Sequence, residues 1–139
     1  MINQEETIDH ILSNTRIIAV VGLSRRRTRA GYYVPAYLHD RGYRIIPVNP
    51  YLDEALGEKA YPDLRVIPEP VDLVLLFQRS EKIPPFVDEA IAIRAKSVWM
   101  QLGIYHQSAA EKAQEAGLKV VMDACILVEH RHWLARKGQ

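Results

Sequence analysis

The sequence predicts an α/β fold, a single doubly wound parallel sheet of about five strands with helices on both faces. Short apolar runs recur along the chain, at residues 17–21, 45–48, 73–77, 98–100 and 120–122. Their hydrophobicity is near-continuous rather than alternating, which is how strands read when helices cover both faces of a parallel sheet. The intervals between them hold amphipathic segments long enough for helices, and a repeated β-α-β pattern closes through right-handed crossovers into a doubly wound sheet.

Taken in order, residues 5–14 read as an extra N-terminal helix with Ile8, Ile11 and Leu12 on one face. The first strand, Ile17 to Val21, is followed by a glycine- and arginine-rich turn and a helix over residues 32–41. After the second strand, residues 49–70 contain Pro50, Pro62, Pro68 and Pro70, too much proline for a long helix, so a loop is expected there, with a short turn and a short strand near Arg65 and Val66. Helices over residues 84–94, with Val87, Ala90, Ile91 and Ile93 inward, and 108–116 separate the last three strands. Gly42 and Gly117 stand where left-handed C-terminal caps belong. There is no internal repeat, low-complexity tract or linker. The chain is therefore expected to be one domain, 1–139, with a Rossmann-like core over residues 17–128.

Size and charge agree with this. A chain of 139 residues buries about 68–70% of the surface its unfolded form exposes, enough for one core. Its 18 Lys+Arg and 17 Asp+Glu leave a net charge of +1, so no global field favours nucleic acid or an anionic membrane, and any anion site is local. Cys125 is the one cysteine and cannot form an internal disulfide, and the N-terminus lacks the basic-then-apolar pattern of a secretory signal. A cytoplasmic location is expected. No apolar run approaches the roughly 18 residues of a membrane-spanning helix.

In such a sheet, ligands bind beyond the carboxyl ends of the strands, near the point where strand order reverses. The first βα turn, from Gly22 to Gly31, reads as a phosphate site: Gly22 permits a tight turn, Ser24 offers a hydroxyl, and helix N-terminal N–H groups follow. It departs from the G-x-G-x-x-G dinucleotide pattern, with Ser24 at the second glycine position. Strand two ends in Asn49-Pro50 rather than in the acidic residue that binds an NAD ribose, which disfavours plain NAD. Four arginines in five positions, Arg25, Arg26, Arg27 and Arg29, exceed what one pyrophosphate needs and point to a further phosphate.

The segments IAVVGLS (18–24), GYRIIPVNP (42–50), LGEKAYP (56–62), IPEPVDLV (67–74), WMQLG (99–103) and VMDAC (121–125) together resemble the small stand-alone CoA-binding proteins with a Rossmann-type fold. Those are similar to the CoA-binding domain of the succinyl-CoA synthetase α subunit and of ADP-forming acyl-CoA synthetases. The resemblance implies binding of coenzyme A or an acyl-CoA along the carboxyl edge. It carries Gly22 and Ser24 as phosphate-turn residues, Asn49 and Pro50 as the strand end facing the adenosine, and Phe77, Gln78, Arg79, Gln101 and Gly103 as the wall along the ligand. Arg25 and Arg26 are assigned from charge, since the family's loop varies there. CoA carries a pyrophosphate and a 3′-phosphate, which accounts for several arginines at one turn. Ligase activity also needs a phosphohistidine domain and an ATP-grasp domain, for which 139 residues leave no room, so binding without catalysis is expected.

Other residues have plainer readings. Cys125 stands near the ligand edge but is expected to be a buried structural thiol rather than a reactive one. His130-Arg131-His132 is expected to be a solvated C-terminal segment rather than a metal site, because i and i+2 point to different faces of a helix. Asp123 is expected to hold a loop, Trp99 to lie in the core, and Tyr32 and Tyr33 to pack at the start of the first core helix. Two alternatives stay open: an NADP(H)-binding oxidoreductase or redox sensor, with the arginines on a 2′-phosphate, and a domain that binds no nucleotide and acts through a protein partner.

Overall fold

The structure is a computed structural model that describes residues 2–138. Helix α1 spans Glu5–Asn14, strand β1 Ile17–Val21, helix α2 Ala30–Asp40 and strand β2 Arg44–Val48. The proline-rich stretch then holds a two-residue antiparallel hairpin, β3 (Glu54–Ala55) with β4 (Glu58–Lys59), and one 3₁₀ turn at Leu64–Val66. After it come β5 (Leu73–Leu76), α3 (Ile83–Ala92), β6 (Ser97–Met100), α4 (Gln107–Glu115), β7 (Lys119–Val121) and α5 (Ile126–Lys137).

The sheet runs in the order β2-β1-β5-β6-β7, and every neighbouring pair is parallel. Because strand side chains alternate between faces, each strand feeds two cores. Ile18, Val20, Leu73, Leu75 and Trp99 meet α1, α2 and α5 through Ile11, Leu12, Val34, Leu38 and Ile126. Ala19, Val21, Val74, Leu76, Val98 and Met100 meet α3 and α4 through Val87, Ala90, Ala110 and Ala113. Both faces are buried, which is why the strands read as unbroken apolar runs. The expected α/β class, five-stranded sheet and two-sided helical cover are all observed.

Two expectations are corrected. The short strand foreseen near Arg65 and Val66 is instead the 3₁₀ turn, nucleated when Asp63 accepts the backbone N–H of Arg65 at 2.9 Å. The extended pair lies earlier, where Leu56 and Gly57, both at positive φ, form the reversal between β3 and β4. The C-terminal segment is likewise no solvated tail. It is the twelve-residue helix α5, so the expected boundary of the core at residue 128 falls inside a packed element. His130 is 3% exposed and His132 is exposed, as their i, i+2 spacing on a helix requires.

Candidate functional site

The chain leaves β1 to build β2 on one side and later returns to build β5 on the other, so strand order reverses between β1 and β5. Two loops separate there, and Gly22 and Phe77 stand at their roots. The N–H of Gly22 donates to Val48 O at 2.9 Å, and that of Phe77 to Val21 O at 2.9 Å. Gly22 has φ +86°, and a Cβ at this position would lie 2.5 Å from the carbonyl oxygen of Phe77. Only glycine satisfies both the backbone conformation and the approach.

Beyond it the loop is bonded to itself. The N–H of Ser24 donates to Gly31 O at 3.0 Å, and the Ser24 hydroxyl accepts from the N–H of Arg26 at 3.1 Å, leaving the hydroxyl proton free to donate outward. Gly31 O is available because its usual helical donor, four residues on, is Pro35, which has no N–H. An internal proline in α2 thus releases the carbonyl that anchors the turn. Asn49 joins the first loop to the second: Nδ2 donates to Leu23 O at 3.0 Å, and Oδ1 accepts from the N–H of Tyr51 at 2.8 Å.

These loops enclose a cleft with two lobes. The inner lobe, about 590 Å³, is lined by Gly22, Leu23, Ser24, Arg29, Ala30, Gly31, Asn49 and Phe77. The outer lobe, about 440 Å³, shares Ser24, Arg29 and Asn49 and adds Arg25, Arg26, Tyr51 and Leu52. No carboxylate lines either lobe, and the first turn of α2 contains none. Arg25 donates to Tyr51 O at 2.6 Å, and the Arg27 guanidinium stands 5.9 Å from the Tyr32 ring. Arg26 and Arg29 have no side-chain hydrogen bond or ion pair among the described residues. At the N-terminal end of α2 their charge adds to the helix dipole, so the cleft is built for anions.

The structure therefore gathers Gly22, Ser24, Arg25, Arg26, Asn49 and Phe77 from the residues anticipated. Gln78 lies beside them, its Nε2 3.0 Å from where a Gly22 Cβ would stand. Pro50, Arg79 and Gly103 are exposed and line neither lobe. Gln101 is buried, and its Oε1 accepts the N–H of Ile126 at 3.2 Å, so the side chain fastens the start of α5. Gly103 is held by Asp123, whose Oδ1 accepts its N–H at 2.7 Å. Asp123 thus ties two loops together, as expected of it. Trp99 is fully buried, with Nε1 donating to Ala124 O at 2.8 Å. Cys125 is half-buried beside the start of α5 and is a free thiol.

Gly31 and Tyr51 also line the cleft without having been assigned to it from the sequence. Arg29 belonged to the noted arginine run; nothing local marked Tyr51. A second cleft, of about 500 Å³, opens at the amino ends of β1 and β2. It is lined by Arg16, Arg41 and Arg44 together with Glu69, and Arg44 is paired with Glu58 at 3.0 Å and with Glu69, so this cleft, unlike the two lobes at the carboxyl edge, holds a carboxylate in its wall.

Fold and cleft define a small doubly wound α/β domain with a basic site at its switch point. The chain belongs to the CoA binding domain family, which residues 16–131 match. It is 44% identical over 123 residues to the uncharacterized protein YneT of Bacillus subtilis, covering 88% of this chain and 91% of that one. A solved structure of a hypothetical protein from Pyrococcus horikoshii superposes with a TM-score of 0.90 at 39% identity, over 94% of this chain and 92% of that chain. The ADP-forming acetate–CoA ligase I of Archaeoglobus fulgidus is 27% identical over 121 residues, which are 80% of this chain and only 18% of the ligase.

Proposed function

We propose that this protein binds coenzyme A or an acyl-CoA at the carboxyl edge of its sheet and does not itself turn it over. The observation that carries the reading is the two-lobed cleft at the switch point, where Arg26 and Arg29 face no carboxylate. A ligand with a pyrophosphate and a separate ribose phosphate supplies anions to both lobes. Family membership supports CoA as that ligand. The ligase relative is matched over less than a fifth of its own length, so the match supports the binding step and carries none of the ligase's remaining activity with it. Asn49 spends its side chain on Leu23 and Tyr51, so it joins the loops instead of reading a ribose as an acidic residue would in an NAD site.

The test is thermal unfolding of the purified protein with CoA, acetyl-CoA, NADP and NAD in parallel. At 100 times its dissociation constant a ligand stabilises by about 2.7 kcal/mol. Stabilisation by CoA or acetyl-CoA, and not by NAD, is expected. Stabilisation by NADP alone would replace this reading with the redox one. No shift with any of the four would leave a domain that acts through protein partners.

A further inference from the structure

Tyr51 is 83% exposed, yet its main chain is held at both ends. Its N–H donates to Asn49 Oδ1 at 2.8 Å, and its carbonyl accepts from Arg25 Nη2 at 2.6 Å. Lone exposed aromatics are ordinary on protein surfaces. This one borders the outer lobe beside Arg25, Arg26, Arg29, Asn49 and Leu52, and its ring stacks on no other ring or cation among the described residues. The other well-exposed aromatics, Tyr33 and Tyr105, line neither lobe.

We infer that Tyr51 is the platform on which the purine base of the ligand stacks, which makes the outer lobe the base and ribose-phosphate subsite and leaves the pyrophosphate to the inner one. The inference rests on the proposed binding of a CoA-type ligand. A tyrosine face suits any flat π-system and costs little conformational entropy to hold, since two anchors already fix the backbone. Arg25 has a double part: its hydrogen bond sets the position of Tyr51, and its charge contributes to the phosphate field. Leu52, half-buried behind it, gives the lobe an apolar surface against which a base edge can rest.

The experiment is calorimetric titration of CoA into the wild-type protein and into Tyr51→Phe, Tyr51→Trp and Tyr51→Ala, with the adenine absorbance near 260 nm followed in parallel. Stacking predicts hypochromism on binding in the wild type, retained in Tyr51→Phe and Tyr51→Trp. In Tyr51→Ala the hypochromism is expected to be lost and affinity to fall by about tenfold or more, the size of a lost base stack. Wild-type affinity or full hypochromism in Tyr51→Ala overturns the assignment, as does an equal loss in all three variants. Absence of CoA binding by the wild type would instead overturn the underlying reading, before any variant is considered. Because the side chain is exposed, the melting temperatures of the unliganded variants are expected to match, which separates loss of stacking from loss of fold.

Discussion

At the scale of single residues, the cleft depends on what side chains leave out. Gly22 lacks the Cβ that would strike Phe77 O, and Pro35 lacks the N–H that would otherwise claim Gly31 O. Gly22→Ala therefore faces both a left-handed backbone and a contact with a main-chain atom that cannot swing aside. The expected cost is about 2–4 kcal/mol, combining αL strain with overpacking. Urea unfolding of the variant measures it, and a change under about 0.5 kcal/mol, the scale of an ordinary surface substitution, would show that the turn can relax. The role of Gly22 was legible because glycine directly after a buried strand has few other uses. That of Pro35 was not, because its effect passes through a hydrogen bond between residues seven apart, Ser24 and Gly31, that only the folded turn reveals.

At the scale of elements, the strands and their order of appearance were legible, and α5 was not. Runs such as Leu73 to Leu76 declare themselves because both strand faces are buried. Helix α5 buries mainly Ile126 and His130, so its sequence shows no apolar stripe, and a histidine read as solvated is instead its packing centre. His130 Nδ1 and Tyr37 Oη are 2.9 Å apart, and the imidazole meets the rings of Tyr37, Tyr43 and Trp133 edge-on at 5.4–5.7 Å. Farther along, Arg136 pairs with Asp9 and Glu5 of α1. Burial holds the His130 pKa below its ordinary value, and the positive charges of Arg41 and Lys137 act in the same direction.

The sign follows directly. Between the depressed folded value and the unfolded value of about 6.5, the unfolded chain binds a proton that the folded one refuses. Stability from this site is thus complete above about pH 6.5 and is lost as pH falls toward the folded pKa. Denaturant unfolding at pH 7.5 and 5.5 is expected to show a larger loss for the wild type than for His130→Gln, which cannot titrate. Equal losses would mean that the imidazole accepts its proton in place.

At the scale of the whole molecule, a net charge of +1 hides how unevenly the charge is placed. Elsewhere four cations are held by carboxylates, Arg44 by Glu58 and Glu69, Lys112 by Asp88, Lys96 by Asp72 and Arg136 by Asp9, and Arg41, Lys59, Arg131 and Lys137 lie over aromatic rings. The β1–α2 loop concentrates four guanidinium groups that face no carboxylate among the described residues, so the molecule is near neutral at a distance and strongly basic within a few ångströms of the cleft. A local field of this kind is felt over about one Debye length, roughly 8 Å at physiological ionic strength, and governs capture of an anion rather than general affinity for polyanions. Arg26→Ala with Arg29→Ala is therefore expected to weaken CoA binding by about tenfold or more at low salt, the loss of charge-assisted hydrogen bonds, while leaving the melting temperature of the free protein unchanged. Raising the salt should weaken the wild type markedly and the double variant much less, bringing their affinities together. Parallel salt dependences for the two proteins would assign the electrostatic attraction to Arg25 and Arg27 or to the amino end of α2 instead. Arg25→Ala is a poorer test of charge alone, because removing it also frees the carbonyl of Tyr51 and loosens the outer lobe.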